Sequence, residues 1–259
     1  MDHSGHDRRS RYHAGSLTLT GAVAMGTGVM IGAGIFALTG QLADHAGAFF
    51  PLAFVVAAVV TALSAHAYVR LSATYPSAGG IAMFLEKAYG RGAVTATCGL
   101  LMYFSMVINE ALVARTFGTY VLQFGGEVSD PRLVATLGVG LLLFAFGVNV
   151  VGNRAISAVE LVAAMIKIAG IGVFAFVGLW LSGGRLELLS EAAPAAPGAT
   201  GFLAAVALGI LAYKGFTTIT NSGAELRDPE RNVGRAIVIS IAICTVLYAL
   251  VALAVSGNL

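Results

Sequence analysis

Gly28-Val29-Met30-Ile31-Gly32-Ala33-Gly34-Ile35-Phe36 lies inside an apolar run, Leu17 to Leu42, that is long enough to cross a bilayer. It places three glycines where a spanning helix gains most from side chains. Glycine tolerates unwound backbone and the close approach of a ligand. Non-helical backbone at membrane depth survives only where it is buried in protein or lines a cavity. The stretch therefore predicts a spanning helix broken at Gly32-Ala33-Gly34, with a candidate ligand site near the midplane. The competing reading is a close-packing face, for which Gly28-Val29-Met30-Ile31-Gly32 has the small-xxx-small spacing.

The rest of the chain supports a membrane setting. Of 259 residues, 58% are hydrophobic and 11% charged, with a mean hydropathy of +0.85, whereas soluble domains carry about 25% charged residues. Seven apolar runs approach the ~20 residues a spanning helix needs: Leu17 to Leu42, Phe49 to Leu71, Ala93 to Phe124, Arg132 to Val150, Val159 to Leu181, Gly201 to Gly223 and Ala236 to Ser256. The expected fold is an all-α polytopic membrane protein with seven transmembrane helices. The first run is too long, and followed by too many others, to be a cleaved signal peptide.

Charge placement orients these spans. With the amino terminus inside, cytoplasmic segments hold Arg8, Arg9, Arg11, Arg70, Lys87, Arg91, Arg154, Arg227, Arg231 and Arg235, and outer segments only Arg132 and Arg185. By the positive-inside rule this predicts a multi-pass protein of the cell membrane with a cytoplasmic amino terminus and an outer carboxyl terminus. The net charge of +2 is then a topology signal, with no nucleic-acid partner implied. Cys98 and Cys244 both fall in predicted spans without ligand-spaced neighbours, so neither a metal nor a cofactor is expected. No Ser/His/Asp, paired-carboxylate or HExxH arrangement points to an enzyme.

The predicted organisation is a polar cytoplasmic tail at 1–15, five spans over 16–181, an outer linker at 182–200 containing Pro194 and Pro197, and two further spans over 201–259. Two loops stand out. Tyr75-Pro76-Ser77-Ala78-Gly79-Gly80 reads as a rigid turn before a short amphipathic segment. Glu225-Leu226-Arg227-Asp228-Pro229-Glu230-Arg231-Asn232 reads as a charged turn between the last two spans.

Those two loops, together with Ile31-Gly32-Ala33-Gly34-Ile35-Phe36 and Ala212-Tyr213-Lys214-Gly215-Phe216, resemble four signatures of the amino acid-polyamine-organocation permeases, in the same order and at similar separations. The resemblance covers the chain after residue 15 and departs from the family at Gly234, where proline is frequent. It implies the leucine-transporter architecture of two inverted five-helix repeats, with a midplane site between broken helices. This chain would hold the first repeat, over 16–181, and the first two helices of the second. Family members usually have about twelve spans, so a transport-incompetent membrane fragment that needs further helices or a partner is the alternative expectation.

The resemblance also assigns residues. It implies that the break in the first span contacts a substrate carboxylate at Gly32, Ala33 and Gly34, with Met30 and Ile31 lining the approach. In the sixth span Gly215 is expected to break the helix and leave carbonyls for a substrate ammonium, with Leu211, Tyr213 and Lys214 at or beside the pocket wall. Ordinary core packing of Tyr213 is the alternative.

An unpaired lysine at a helix centre costs roughly 2.5–3.5 kcal/mol on insertion scales, so Lys214 requires a partner. Glu110, in the middle of the third span, is the only carboxylate central to any span. The two are expected to meet across the pocket or through the substrate, or each is satisfied separately by backbone or water. Lys167, eight residues into the fifth span, has the place at which the proton-coupled branch of the family carries a lysine; it is expected either to couple protons to transport or to tether two helices. The expectation is secondary active transport of amino acids, small or neutral ones, driven by protons, with the substrate, protons and the bilayer as partners.

Overall fold

The computed structural model describes residues 15–75, 79–126, 130–151, 153–181 and 198–256. The predicted tail before residue 15, the linker at 182–197 and positions 76–78 of the Tyr75 loop lie outside the described residues. The described residues are helical almost throughout. In chain order the helices are α1 (Leu19–Ala46), α2 (Phe50–Thr74), α3 (Gly80–Tyr89), α4 (Ala93–Phe124), α5 (Pro131–Val151), α6 (Asn153–Leu181), α7 (Ala199–Ala212), α8 (Phe216–Asn221) and α9 (Pro229–Ser256).

Local chemistry sets the helix ends. The Thr18 hydroxyl accepts from the Gly21 N–H at 3.1 Å and caps α1, filling one of the donors a helix start leaves open. Pro51, Pro131 and Pro229 sit in the first turns of α2, α5 and α9, where a missing N–H costs nothing. Gly47 and Gly90 close α1 and α3 at φ 53° and 72°, the left-handed region that glycine enters freely.

Among the described residues, five helical stretches are long and apolar enough to cross a membrane, and Leu19–Gly32 and Pro131–Gly147 form two shorter apolar helices. In α4 the most apolar stretch has none of its length buried inside the protein. An apolar helix exposed in this way belongs in lipid or against further protein, not water. The chain is therefore an all-α, multi-pass membrane protein.

Helix α1 is the central element and touches α2, α4, α6, α7, α8 and α9. Its neighbours approach closely because glycine stands at the crossings, as expected where lipid removes the hydrophobic drive between helices. A Cβ on Gly209 of α7 would lie 2.7 Å from Ala57 Cβ of α2, and one on Gly178 of α6 2.8 Å from Ala254 Cβ of α9. Gly234, where the resemblance led us to expect proline, packs its α-carbon against Val69 of α2, which a Cβ would approach to 2.8 Å. Helices α4 and α5 pair through Gly118 against the Val134 carbonyl and Gly138 against Ala114.

Candidate functional site

Both expected helix interruptions are present. In α1 the backbone leaves helical geometry at Ile31 (φ −78°, ψ 86°) and Gly32 (φ 171°, ψ −90°). The break thus falls slightly before the predicted Gly32-Ala33-Gly34 segment, and Ala33 and Gly34 already belong to the second half of the helix. In the sixth apolar run, α7 stops at Ala212 and α8 starts at Phe216. Tyr213, Lys214 and Gly215 form a tight turn, with Tyr213 N–H donating to Ile210 C=O and Lys214 N–H to Leu211 C=O, both at 3.2 Å.

The two interruptions meet. A Cβ on Gly215 would lie 2.8 Å from the Met30 backbone nitrogen and 3.1 Å from the Gly26 carbonyl oxygen, so glycine lets one turn rest directly on the backbone of the other helix. Tyr248 of α9 then joins them chemically. Its hydroxyl donates to the Met30 carbonyl at 2.6 Å and lies 3.3 Å from the Ala212 carbonyl. These are the last carbonyls before each interruption, where the i→i+4 ladder fails and acceptors need another donor. The Tyr248 ring is held between Phe54 (centroids 5.4 Å apart) and Tyr213 (5.0 Å).

Beside this junction, between α1, α4 and the α7–α8 turn, lies a cavity of about 230 Å³. Val29, Met106 and Leu211 give it apolar walls, and Asn109, Glu110, Lys214, Thr217 and Thr218 give it polar ones, with Gly215 at the turn. Of the residues expected at the site, Glu110, Leu211, Lys214 and Gly215 line this cavity. Met30, Ile31 and Tyr213 do not; they are fully buried in the core behind it. For Tyr213 this is the core-packing alternative, with its ring on Tyr248 instead of at the cavity mouth.

Lys214 also has a side-chain partner to which the sequence did not point. Its ammonium donates to Ser105 Oγ of α4 at 2.6 Å, and Glu110, on the wall of the same cavity, attracts it through space without a direct ion pair. The other sequence-predicted lysine, Lys167 of α6, donates from Nζ to the Gly28 carbonyl at 3.2 Å. Its ammonium is also 3.6 Å from where a Cβ on Gly32 would be. The break at Ile31 turns the Gly32 N–H out of the helical ladder, so the Gly28 carbonyl is open to this donor.

Ser105, Asn109, Thr217, Thr218 and Tyr248 were not singled out by sequence reasoning. Short polar residues inside apolar helices were the available signal, but Thr27 and Thr116 carry it equally and bond back to carbonyls of their own helices. A larger groove, about 470 Å³, runs between α4 and α5 past Arg115 and Thr119. It touches neither interruption. Among the described residues no group of His, Cys, Asp and Glu is arranged to hold a metal ion.

An all-α membrane protein with paired helix interruptions beside a small polar cavity has the layout of a membrane permease. The amino acid permease family model matches residues 17–258, and the chain belongs to that family. It is 33% identical over 238 residues to the inner membrane transport protein YbaT of Escherichia coli, covering 92% of this chain and 54% of YbaT. It is 34% identical over 243 residues to an uncharacterised protein of Methanocaldococcus jannaschii, covering 94% of this chain and 55% of that protein. To the cationic amino acid transporter 3, mitochondrial, of Arabidopsis thaliana it is 28% identical over 272 residues, covering 94% of this chain and 42% of the transporter. The chain thus spans about half the length of these relatives.

Proposed function

We propose that the chain contributes the substrate-binding portion of a secondary active transporter for amino acids, acting by alternating access. The observation that carries this reading is the meeting of two helix interruptions, Ile31-Gly32 and Tyr213-Lys214-Gly215, beside a cavity that holds both a cation and an anion. The start of the second half of α1 offers free N–H groups and a positive dipole end to a substrate carboxylate, at Gly32, Ala33 and Gly34. The end of α7 offers carbonyls to the substrate ammonium. Seven spans, the first five of them one repeat of the leucine-transporter type, with the amino terminus in the cytoplasm, complete the proposal.

Proton coupling is assigned to Lys167. Its contact with the Gly28 carbonyl places the ammonium beside the α1 break, and opening of that break to one side and then the other alters what solvates it. Lys167→Ala should therefore abolish accumulation driven by a pH gradient while leaving substrate binding within a few-fold. Sodium-driven accumulation that survives this substitution would refute the assignment.

The test of the function is uptake of labelled amino acids by proteoliposomes containing the protein, with and without an imposed pH gradient. A second reading, in which this chain alone binds substrate but needs further helices for transport, draws on its span of half the relatives' length. Saturable binding without uptake would select it; neither binding nor uptake would refute both.

A further inference from the structure

We propose that Lys214 and Glu110 make the cavity selective for amino acids whose side chain is uncharged and carries both a hydrogen-bond acceptor and a donor, the carboxamide being the fullest match, and that they exclude cationic side chains. This rests on the reading of the cavity as the substrate site. If the substrate's own carboxylate and ammonium are met by backbone at the two interruptions, the side chains on the cavity wall are left to meet the substrate's side chain.

Those wall groups have a definite character. Lys214 is fixed by Ser105 Oγ at 2.6 Å. An ammonium has three donor hydrogens, so one is spent on Ser105 and the others remain for the cavity. Glu110 is acceptor-only when ionised and lines the same cavity without a direct ion pair to Lys214. The Thr217 hydroxyl donates to the Lys214 carbonyl at 3.0 Å, which leaves its oxygen as an acceptor. Asn109 and Thr218 add groups of both kinds.

A cationic side chain can pair with Glu110 only by bringing a second cation against Lys214, and an anionic one can pair with Lys214 only by bringing a second anion against Glu110, so either gains on one side what it loses on the other. An apolar one strips water from both charges and replaces it with nothing, and sites built to hydrogen-bond a substrate reject analogues that lack the polar group strongly. A carboxamide offers its oxygen to Lys214 and its N–H groups to Glu110. The cavity, about 230 Å³, is smaller than the ~300 Å³ at which pockets for drug-sized ligands begin, which suits a single small solute. Selectivity against cations would set this chain apart from the relatives named as cationic amino acid transporters.

The experiment is equilibrium binding to the purified chain in lipid nanodiscs, with tritiated glutamine and tritiated leucine as separate labels and unlabelled glutamine, leucine, glutamate and arginine as competitors. Glutamine should compete at a concentration at least tenfold below that of arginine or leucine, a difference of about 1.4 kcal/mol. Lys214→Met should raise arginine affinity relative to glutamine at least tenfold, and Glu110→Gln should do the same for glutamate. Such opposite, ligand-specific gains cannot come from partial unfolding. Arginine binding as tightly as glutamine in the unmodified chain overturns the proposal, as does a uniform change across all four ligands in the variants. If the folded chain binds neither label, the substrate-site reading itself fails, and this inference fails with it.

Discussion

Gly215→Val is expected to disrupt the junction at the centre of the molecule. Even the first added carbon would stand 2.7 Å from Met30 Cγ and 2.8 Å from the Met30 backbone nitrogen, and the second of these is main chain that no rotamer change can clear. Forcing extra carbon into such a contact costs typically 1–3 kcal/mol and occasionally more. Alanine should therefore lower the midpoint of thermal unfolding in detergent clearly, and valine should abolish both a cooperative transition and ligand binding. Gly40→Ala is the control, since a Cβ there meets nothing within 4 Å, and it should be neutral or mildly stabilising. Equal behaviour of the Gly215 and Gly40 variants would mean that α8 does not rest on α1 as described.

Tyr248→Phe should separate chemistry from packing at the same place. The ring remains between Phe54 and Tyr213, while the Met30 and Ala212 carbonyls lose the hydroxyl that reaches them at 2.6 and 3.3 Å. Leaving buried acceptors unfilled costs about 1–3 kcal/mol. The loss falls on both interruptions at once, so substrate affinity is expected to drop by at least tenfold, equivalent to about 1.4 kcal/mol. The measurement is a binding isotherm beside a thermal melt. Unchanged affinity together with an unchanged melt would show that the hydroxyl does not hold the two breaks.

The break in α1 was legible because glycine clustering in an apolar run is a local signal, and the structure moved it only to Ile31 and Gly32. Gly215, a single glycine, was legible through its mid-span position and the resemblance of Ala212-Tyr213-Lys214-Gly215-Phe216 to a permease signature. Lys214 was correctly read as needing a partner, because a bare ammonium in a span is costly. Which partner it takes was not legible. Ser105 lies 109 residues earlier on α4, and nothing in the sequence ranks it beside Glu110, which shares the cavity with Lys214 and acts on it through space instead of in a direct ion pair.

Composition and glycine placement by themselves determined that this is an all-α membrane protein and where its helices fail, because both are properties of short contiguous stretches. Only the tertiary structure decided which side chains face the cavity. It placed Met30, Ile31 and Tyr213 in the core and brought Tyr248 to a carbonyl 218 residues away. The physical reason is that a soluble helix marks its inward face with an apolar stripe, whereas a helix apolar all round carries no such mark. Its inward face is set by close approach at small residues, such as Gly209 on Ala57 and Gly234 on Val69, and those pairings exist only once the helices have packed.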